Sequence, residues 1–135
     1  MRLLVLSVGR LRAPYVDDVA HYRRLLSRYV RLEEVELRED DDVARRLPER
    51  AFVSLLADGG RAYDSLAFSR FIEERRHSGR DLAFVVGGAF GLELDAVEHR
   101  LSLGPMTLPH QLARVVLLEQ LYRAQKILAG EPYHH

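Results

Sequence analysis

The chain contains no cysteine, which excludes disulfide scaffolds, thiolate metal sites and cysteine nucleophiles together and suits a reducing compartment. It has no excess charge of either sign, because 20 basic and 20 acidic side chains cancel to a formal net charge of zero. Bulk electrostatics therefore drives it onto neither nucleic acid nor an anionic membrane, and any such binding has to come from local patches. Lysine is nearly missing, Lys126 being the only one. The basic set is otherwise arginine, suited to bidentate phosphate contacts, although codon composition explains the bias as well. No apolar run approaches the roughly 18 residues that a membrane helix needs. The opening Met1 to Val8 stops at Gly9-Arg10 without the small-residue cleavage site of a signal peptide. A soluble, cytoplasmic protein is expected. With 135 residues, 47% of them hydrophobic, the chain is expected to form one domain over residues 1–135 with a core of its own.

Apolar runs at Leu3 to Val8, Ala51 to Ala57 and Leu82 to Val86 lack polar alternation, the pattern of strands covered on both faces in a parallel sheet flanked by helices. Val19, Tyr22, Leu26 and Tyr29 follow the spacing of a buried helix face, with Asp17 and Asp18 at its favourable N-terminal end. A second helix is predicted over Ser65 to His77, stopped by Gly79 in a left-handed cap. Leu32 to Leu37 alternates apolar and acidic residues and predicts a more exposed strand; Glu39 to Asp42 predicts a solvated loop. The second half predicts a strand, a glycine turn, a short helix near Asp95 to Arg100, an extended piece, and a long helix entered at Pro109 and ended by Gly130 and Pro132. That helix is apolar on more than one face, so a homodimer is expected to cover the side that the sheet does not.

Three segments point to a binding site. Val86-Gly87-Gly88-Ala89-Phe90-Gly91 is a glycine turn at the C-terminal end of a buried strand, the edge at which open α/β sheets bind ligands. Its spacing matches neither the dinucleotide fingerprint nor the Walker loop, and a plain strand-to-helix connection is the alternative. Leu103-Gly104-Pro105-Met106-Thr107-Leu108-Pro109-His110 sets the free amides of a helix start beside Met106 and Leu108, which can cover an apolar ring. With Leu55 to Gly60 as a third contribution, these segments would make a cleft for an adenosine-like ligand. His110, Arg123, Tyr133 and His134 carry reactive potential. Each has a plainer reading: His110 caps or packs, Arg123 pairs with Glu119 four residues earlier, and the terminal histidines are a tag remnant. No His, Asp and Glu grouping has metal-ligand spacing, and six scattered histidines define no nucleophilic triad. Arg24, Arg28 and Arg31 repeat at helical spacing as a basic stripe, and Arg75, Arg76 and His77 close the second helix. Both patches permit RNA contact without requiring it.

In order, Gly79-Arg80-Asp81, Val86-Gly87-Gly88 to Gly91-Leu92, Met106-Thr107-Leu108-Pro109-His110-Gln111, Arg114-Val115, Glu119-Gln120-Leu121-Tyr122-Arg123-Ala124 and Pro132-Tyr133-His134 closely resemble the ribosomal RNA large subunit methyltransferase H family, small members of the SPOUT class. Leu6 to Gly9 and Val53 to Leu55 extend the likeness over nearly the whole chain. The resemblance implies an α/β fold, a parallel-sheet α/β/α sandwich with a C-terminal trefoil knot. It implies a homodimer, S-adenosyl-L-methionine as donor, and methylation of N3 of a pseudouridine in helix 69 of 23S rRNA in the 70S ribosome, with no metal and no membrane. It puts cofactor contacts on Leu55, Gly87, Leu103, Gly104, Pro105, Met106, Thr107 and Leu108. It also makes the tail native, because the family ends in Tyr-His plus a few residues. Within it, Arg123 is expected to stabilise the developing imide anion, His134 or, second, His110 to accept the N3 proton, and Tyr133 to position the base. The family carries a longer stretch where this chain has Arg38 to Arg50. A different rRNA or tRNA base, or a non-catalytic RNA-binding dimer, stand as alternatives.

Overall fold

The structure, a computed structural model, describes residues 1–88, 92–95 and 97–133. Its elements in chain order are β1 (Arg2–Val8), α1 (Tyr15–Leu26), β2 (Arg31–Leu37), α2 (Asp41–Arg46), β3 (Phe52–Ala62), α3 (Ser65–His77), β4 (Leu82–Val86), β5 (His99–Ser102) and α4 (His110–Leu128). The five strands form one sheet in the order β2-β1-β4-β3-β5, and every pairing is parallel. The apolar runs supply its centre: all five residues of β4 are buried, as a strand covered on both faces demands.

Alternate side chains divide between two faces. Leu3, Val5, Phe84 and Val86 face one core, completed by Val19 and Leu26 of α1, Phe68, Phe71 and Ile72 of α3, and Leu117, Leu118 and Leu121 of α4. Leu4, Leu6, Val8, Ala83 and Val85 face the other, which is closed by Val43 of α2 with Leu92, Leu94 and Val97. The three long helices thus share one face, and the second is covered by one short helix and an irregular segment. On the first, α4 packs against both α1 and α3. Part of its broad apolar surface is used within the chain, while Leu112, Val116 and Ile127 remain half-buried.

Four local expectations are corrected. The acidic run is no loop beyond Asp40: Asp41 and Asp42 form the first turn of α2, with Arg45 and Arg46 in its last, so charges read as solvated complement a helix dipole. His99 and Arg100 belong to β5, where Ser54 aligns with His99 and Leu55 with Arg100, and no helix occurs among the described residues between 92 and 98. Because α1 ends at Leu26, Arg28 falls in a turn and Arg31 opens β2, and the three arginines form no helical stripe. Tyr29 likewise lies beyond the helix, where its hydroxyl donates to Glu131 at 3.1 Å.

The register between β3 and β5 slips between Leu56 and Arg61. Here a Cβ on Gly60 would lie 2.6 Å from the Arg100 carbonyl carbon and 2.8 Å from the Leu101 nitrogen, whereas one on Gly59 would meet nothing within 4 Å. The obstacle at Gly60 is backbone, which no rotamer change relieves. Gly60→Ala is expected to cost about 2–3 kcal/mol of stability and Gly59→Ala less than about 0.5 kcal/mol; equal urea midpoints for the two variants would refute this packing.

His99 joins β5 to the core. Its ring nitrogens share hydrogen bonds with Ser54 Oγ at 2.7 Å and Tyr63 Oη at 2.8 Å, and the ring stacks on Phe71 at 4.5 Å. Burial, then the nearby Arg61 and Arg75 charges, lower its pKa. The folded state thus favours neutral imidazole, so this contribution is present above the unfolded value near ~6.5 and is lost as pH falls below it. The urea midpoint should fall between pH 7 and pH 5 and fall less in His99→Asn; parallel declines would remove His99 as the cause.

Candidate active site

The C-terminal ends of β3, β4 and β5 open into one cleft of about 720 Å³, within the roughly 300–1,000 Å³ of small-molecule sites. Each strand contributes the residues that follow its buried run. Gly87 and Gly88 follow β4, Leu56 to Asp58 come from β3 where it leaves the core, and Leu103 and Gly104 follow β5. Met106, Thr107 and Leu108 form the descent to α4, whose first turn adds His110 and Ala113.

Two contacts shape the 103–109 segment. Ser102 Oγ donates to the Gly104 carbonyl at 2.9 Å and accepts from the Gly104 amide at 3.1 Å, closing a tight turn. Gly104 adopts φ +134° with nothing within 4 Å of a built Cβ, so glycine is demanded there by conformation, not crowding. Thr107 Oγ1 donates to Asp58 Oδ2 at 3.0 Å and ties the segment to β3. Met106 stands 80% exposed. Among the described residues the lining holds the Asp58 and Glu93 carboxylates and no lysine or arginine; Glu93 pairs with Arg100 at 3.3 Å. Such a cleft receives a cationic ligand more readily than an anionic one.

Of the residues singled out from sequence, Gly87, Leu103, Gly104, Met106, Thr107, Leu108 and His110 line this cleft together. Leu55 is fully buried in the sheet core, and its neighbour Leu56 lines the cavity. Pro105 lies between lining residues without lining it. Ala89, Phe90, Gly91 and His134 fall outside the described residues.

Arg123 and Tyr133 lie elsewhere. Arg123 is on α4 thirteen residues beyond His110, a rise of about 20 Å. Its Nη2 and Nε stand 2.9 and 3.1 Å from Glu119 Oε2, the spacing-predicted ion pair. Tyr133 Oη donates to the same oxygen at 2.6 Å, and the Arg123 guanidinium lies 4.1 Å above the Tyr133 ring. Burial and the bond to Glu119 hold the Tyr133 phenol far above its ordinary pKa. The tail is further fastened by Glu131, which accepts from Lys126 Nζ and Tyr29 Oη, each at 3.1 Å. Glu119 is therefore the clamp of this cluster, a role its sequence position suggested only as a partner of Arg123.

Several cleft residues were not singled out. Ala113 lies one turn beyond His110 on the same helix face, a legible signal, and Asp58 stands in the glycine-ended strand already noted. Glu93 carried none. Among the described residues no group of three metal-ligating side chains occurs.

The family model described as "Predicted SPOUT methyltransferase" matches residues 1–134. A protein of Acidiphilium cryptum called ribosomal RNA large subunit methyltransferase H is 46% identical over 147 aligned positions, covering 98% of this chain and 93% of that protein. Proteins of the same name from Gemmatimonas aurantiaca and Solidesulfovibrio magneticus are 41% and 43% identical, each alignment covering at least 98% of both chains. These alignments exceed the 135 residues present, so the relatives carry residues that this chain lacks.

Proposed function

The chain belongs to the SPOUT methyltransferase family, and from that premise we propose that it is an S-adenosyl-L-methionine-dependent ribosomal RNA methyltransferase. Its substrate is N3 of a pseudouridine in helix 69 of 23S rRNA on the 70S ribosome, and it works as a cytoplasmic homodimer with a C-terminal trefoil knot. The observation that carries this reading is the convergence of Leu56 to Asp58, Gly87-Gly88 and Leu103 to Leu108 on one cleft at the C-terminal edge of a parallel sheet. The names of the full-length relatives support ribosomal RNA as the substrate class.

The cleft suits the donor. Leu56, Met106 and Leu108 offer apolar cover for an adenine ring, Gly87 and Gly88 line the cleft without side chains, and the backbone at Gly104 is open to close approach. Asp58 and Glu93 favour a ligand bearing sulfonium and ammonium charge. When bound, S-adenosylmethionine supplies an electrophilic methyl group whose bond to sulfur breaks, with its electron pair, as the bond to N3 forms.

The protein's part is to align N3 with that methyl group, exclude water and manage the N3 proton. Arg123 stabilises the imide anion that develops as the proton leaves, and Tyr133 positions the base. His134 takes the proton, with His110 in the cleft wall as the second acceptor. Since Arg123 stands about 20 Å along α4 from His110, one chain cannot bring it to its own cleft. A homodimer joins the Arg123 cluster of one copy to the cleft of the other, and the half-buried Leu112, Val116 and Ile127 favour such an interface.

Methyl-labelled S-adenosylmethionine incubated with the protein and 70S ribosomes whose 23S rRNA lacks its own N3 methyl group tests the proposal. Label in 23S rRNA supports it; donor binding with no transfer to RNA refutes it and leaves a binding module.

A further inference from the structure

A cleft walled by Asp58 and Glu93 repels an RNA backbone, so the phosphodiester charge of the substrate must be held at its rim. Two arginines beside the site are already paired, Arg100 with Glu93 and Arg114 with Glu34. Arg10 and Arg12 differ. Both are exposed, and neither side chain enters an ion pair or hydrogen bond among the described residues.

Their loop is nonetheless held firmly. The Gln111 side chain bridges it, Nε2 donating to the Arg10 carbonyl at 2.9 Å and Oε1 accepting from the Arg12 amide at 2.8 Å. The Gly9 amide donates to the Leu37 carbonyl at 2.8 Å, and the Leu11 amide to Glu36 Oε2 at 3.3 Å. Glu36, the carboxylate touching the loop, is itself paired with Arg114 at 3.0 Å, so the loop's positive charge stands uncancelled. The loop also abuts the cleft: Gln111 follows His110 in sequence, and a Cβ on Gly9 would stand 3.9 Å from His110 Nε2.

We infer that Arg10 and Arg12, displayed on the 9–12 loop that Gln111 fastens to the start of α4, bind the phosphodiester backbone of the RNA whose base enters the cleft. This rests on the RNA methyltransferase reading above. A pre-ordered backbone lowers the entropy lost on binding, and guanidinium groups grip phosphate oxygens in bidentate fashion. Such contacts position the RNA without reading its sequence.

Methyl transfer to 70S ribosomes is measured at increasing KCl for wild type, Arg10→Gln/Arg12→Gln, Arg46→Gln and Gln111→Ala. The double variant should lose at least about tenfold in kcat/KM for ribosomes, with a salt dependence shallower by about 0.7–0.9 per lost contact. Its affinity for S-adenosylmethionine and its kcat at saturating ribosomes should hold. Arg46→Gln, an exposed arginine of α2, should behave as wild type. Gln111→Ala, which keeps both charges, should lower kcat/KM while retaining the wild-type slope. Unchanged kcat/KM and slope in the double variant would overturn the inference, as would equal losses in Arg46→Gln. Absence of transfer by wild type itself would overturn the RNA reading and this inference with it.

Discussion

Arg123→Ala is expected to slow methyl transfer by about a hundredfold to a thousandfold, the cost of removing one pre-oriented donor from a developing anion, while S-adenosylmethionine binds as before. The split follows from geometry. Arg123 stands about 15 Å along α4 from Ala113, the last residue of that helix to line its own chain's cleft, so its loss leaves the Thr107 to Asp58 tie and the Gly104 turn untouched. Equal losses of turnover and donor affinity would contradict the assignment. A mixing experiment separates sites built within one chain from sites built between two. Arg123→Ala chains combined with chains whose cleft is blocked by Gly104→Val should regain about a quarter of the wild-type rate, because half of randomly paired dimers would hold one complete site of two. Were both functions supplied by one chain, mixing would restore nothing.

Arg114→Leu is expected to cost about 3 kcal/mol of stability, the low end of the penalty for breaking a buried ion pair, because the Glu34 carboxylate keeps its second partner, Arg23. The Arg114 side chain is 5% exposed and lies 3.5 Å from Glu34 Oε1, whose side chain is 8% exposed. It also meets Glu36 at 3.0 Å. These contacts join α4 to edge strand β2, so the loss should spread to the α4 start that carries His110. In Arg114→Leu/Glu34→Leu the buried carboxylate is gone and the half-exposed Arg23 is left to solvent, so much of the stability should return. Urea unfolding of the two single variants and the double variant measures the coupling; strictly additive losses would contradict a buried pair.

Much of this fold was legible before the structure because its signals were local. β1, β4 and α3 were visible as apolar runs or by their caps, and α3 spans Ser65–His77 as its pattern required. What escaped depends on tertiary pairing. β5 has four residues, three of them polar or charged, and only its place beside β3 makes His99 and Arg100 extended. β3 continues to Ala62 through Gly59-Gly60, where a lone sequence reads a turn, because the approach of the Arg100 backbone exploits the missing Cβ. The acidic run starting α2 looked like solvent-facing charge, and its dipole role shows only once Val43 is buried. At the site, the glycine turns and the 103–110 segment were legible because their residues carry backbone constraints. The distance between His110 and Arg123 was latent in helix rise, but it becomes informative only once both are seen on one unbroken helix. The clamp on Glu119 depends on a tail that folds back, which periodicity does not encode.

The most direct test of the central claim is to locate the methyl group. Ribosomes lacking the native N3 methyl group, supplied as 70S particles, free 50S subunits and naked 23S rRNA, are incubated with the protein and S-adenosylmethionine. Reverse transcription is then run through helix 69, because a methyl group on N3 blocks the base-pairing edge and arrests the polymerase. The account predicts a new stop at one pseudouridine of helix 69, strongest with 70S particles and absent without the donor. A stop elsewhere in the RNA, or methyl incorporation with no stop in helix 69, would contradict it.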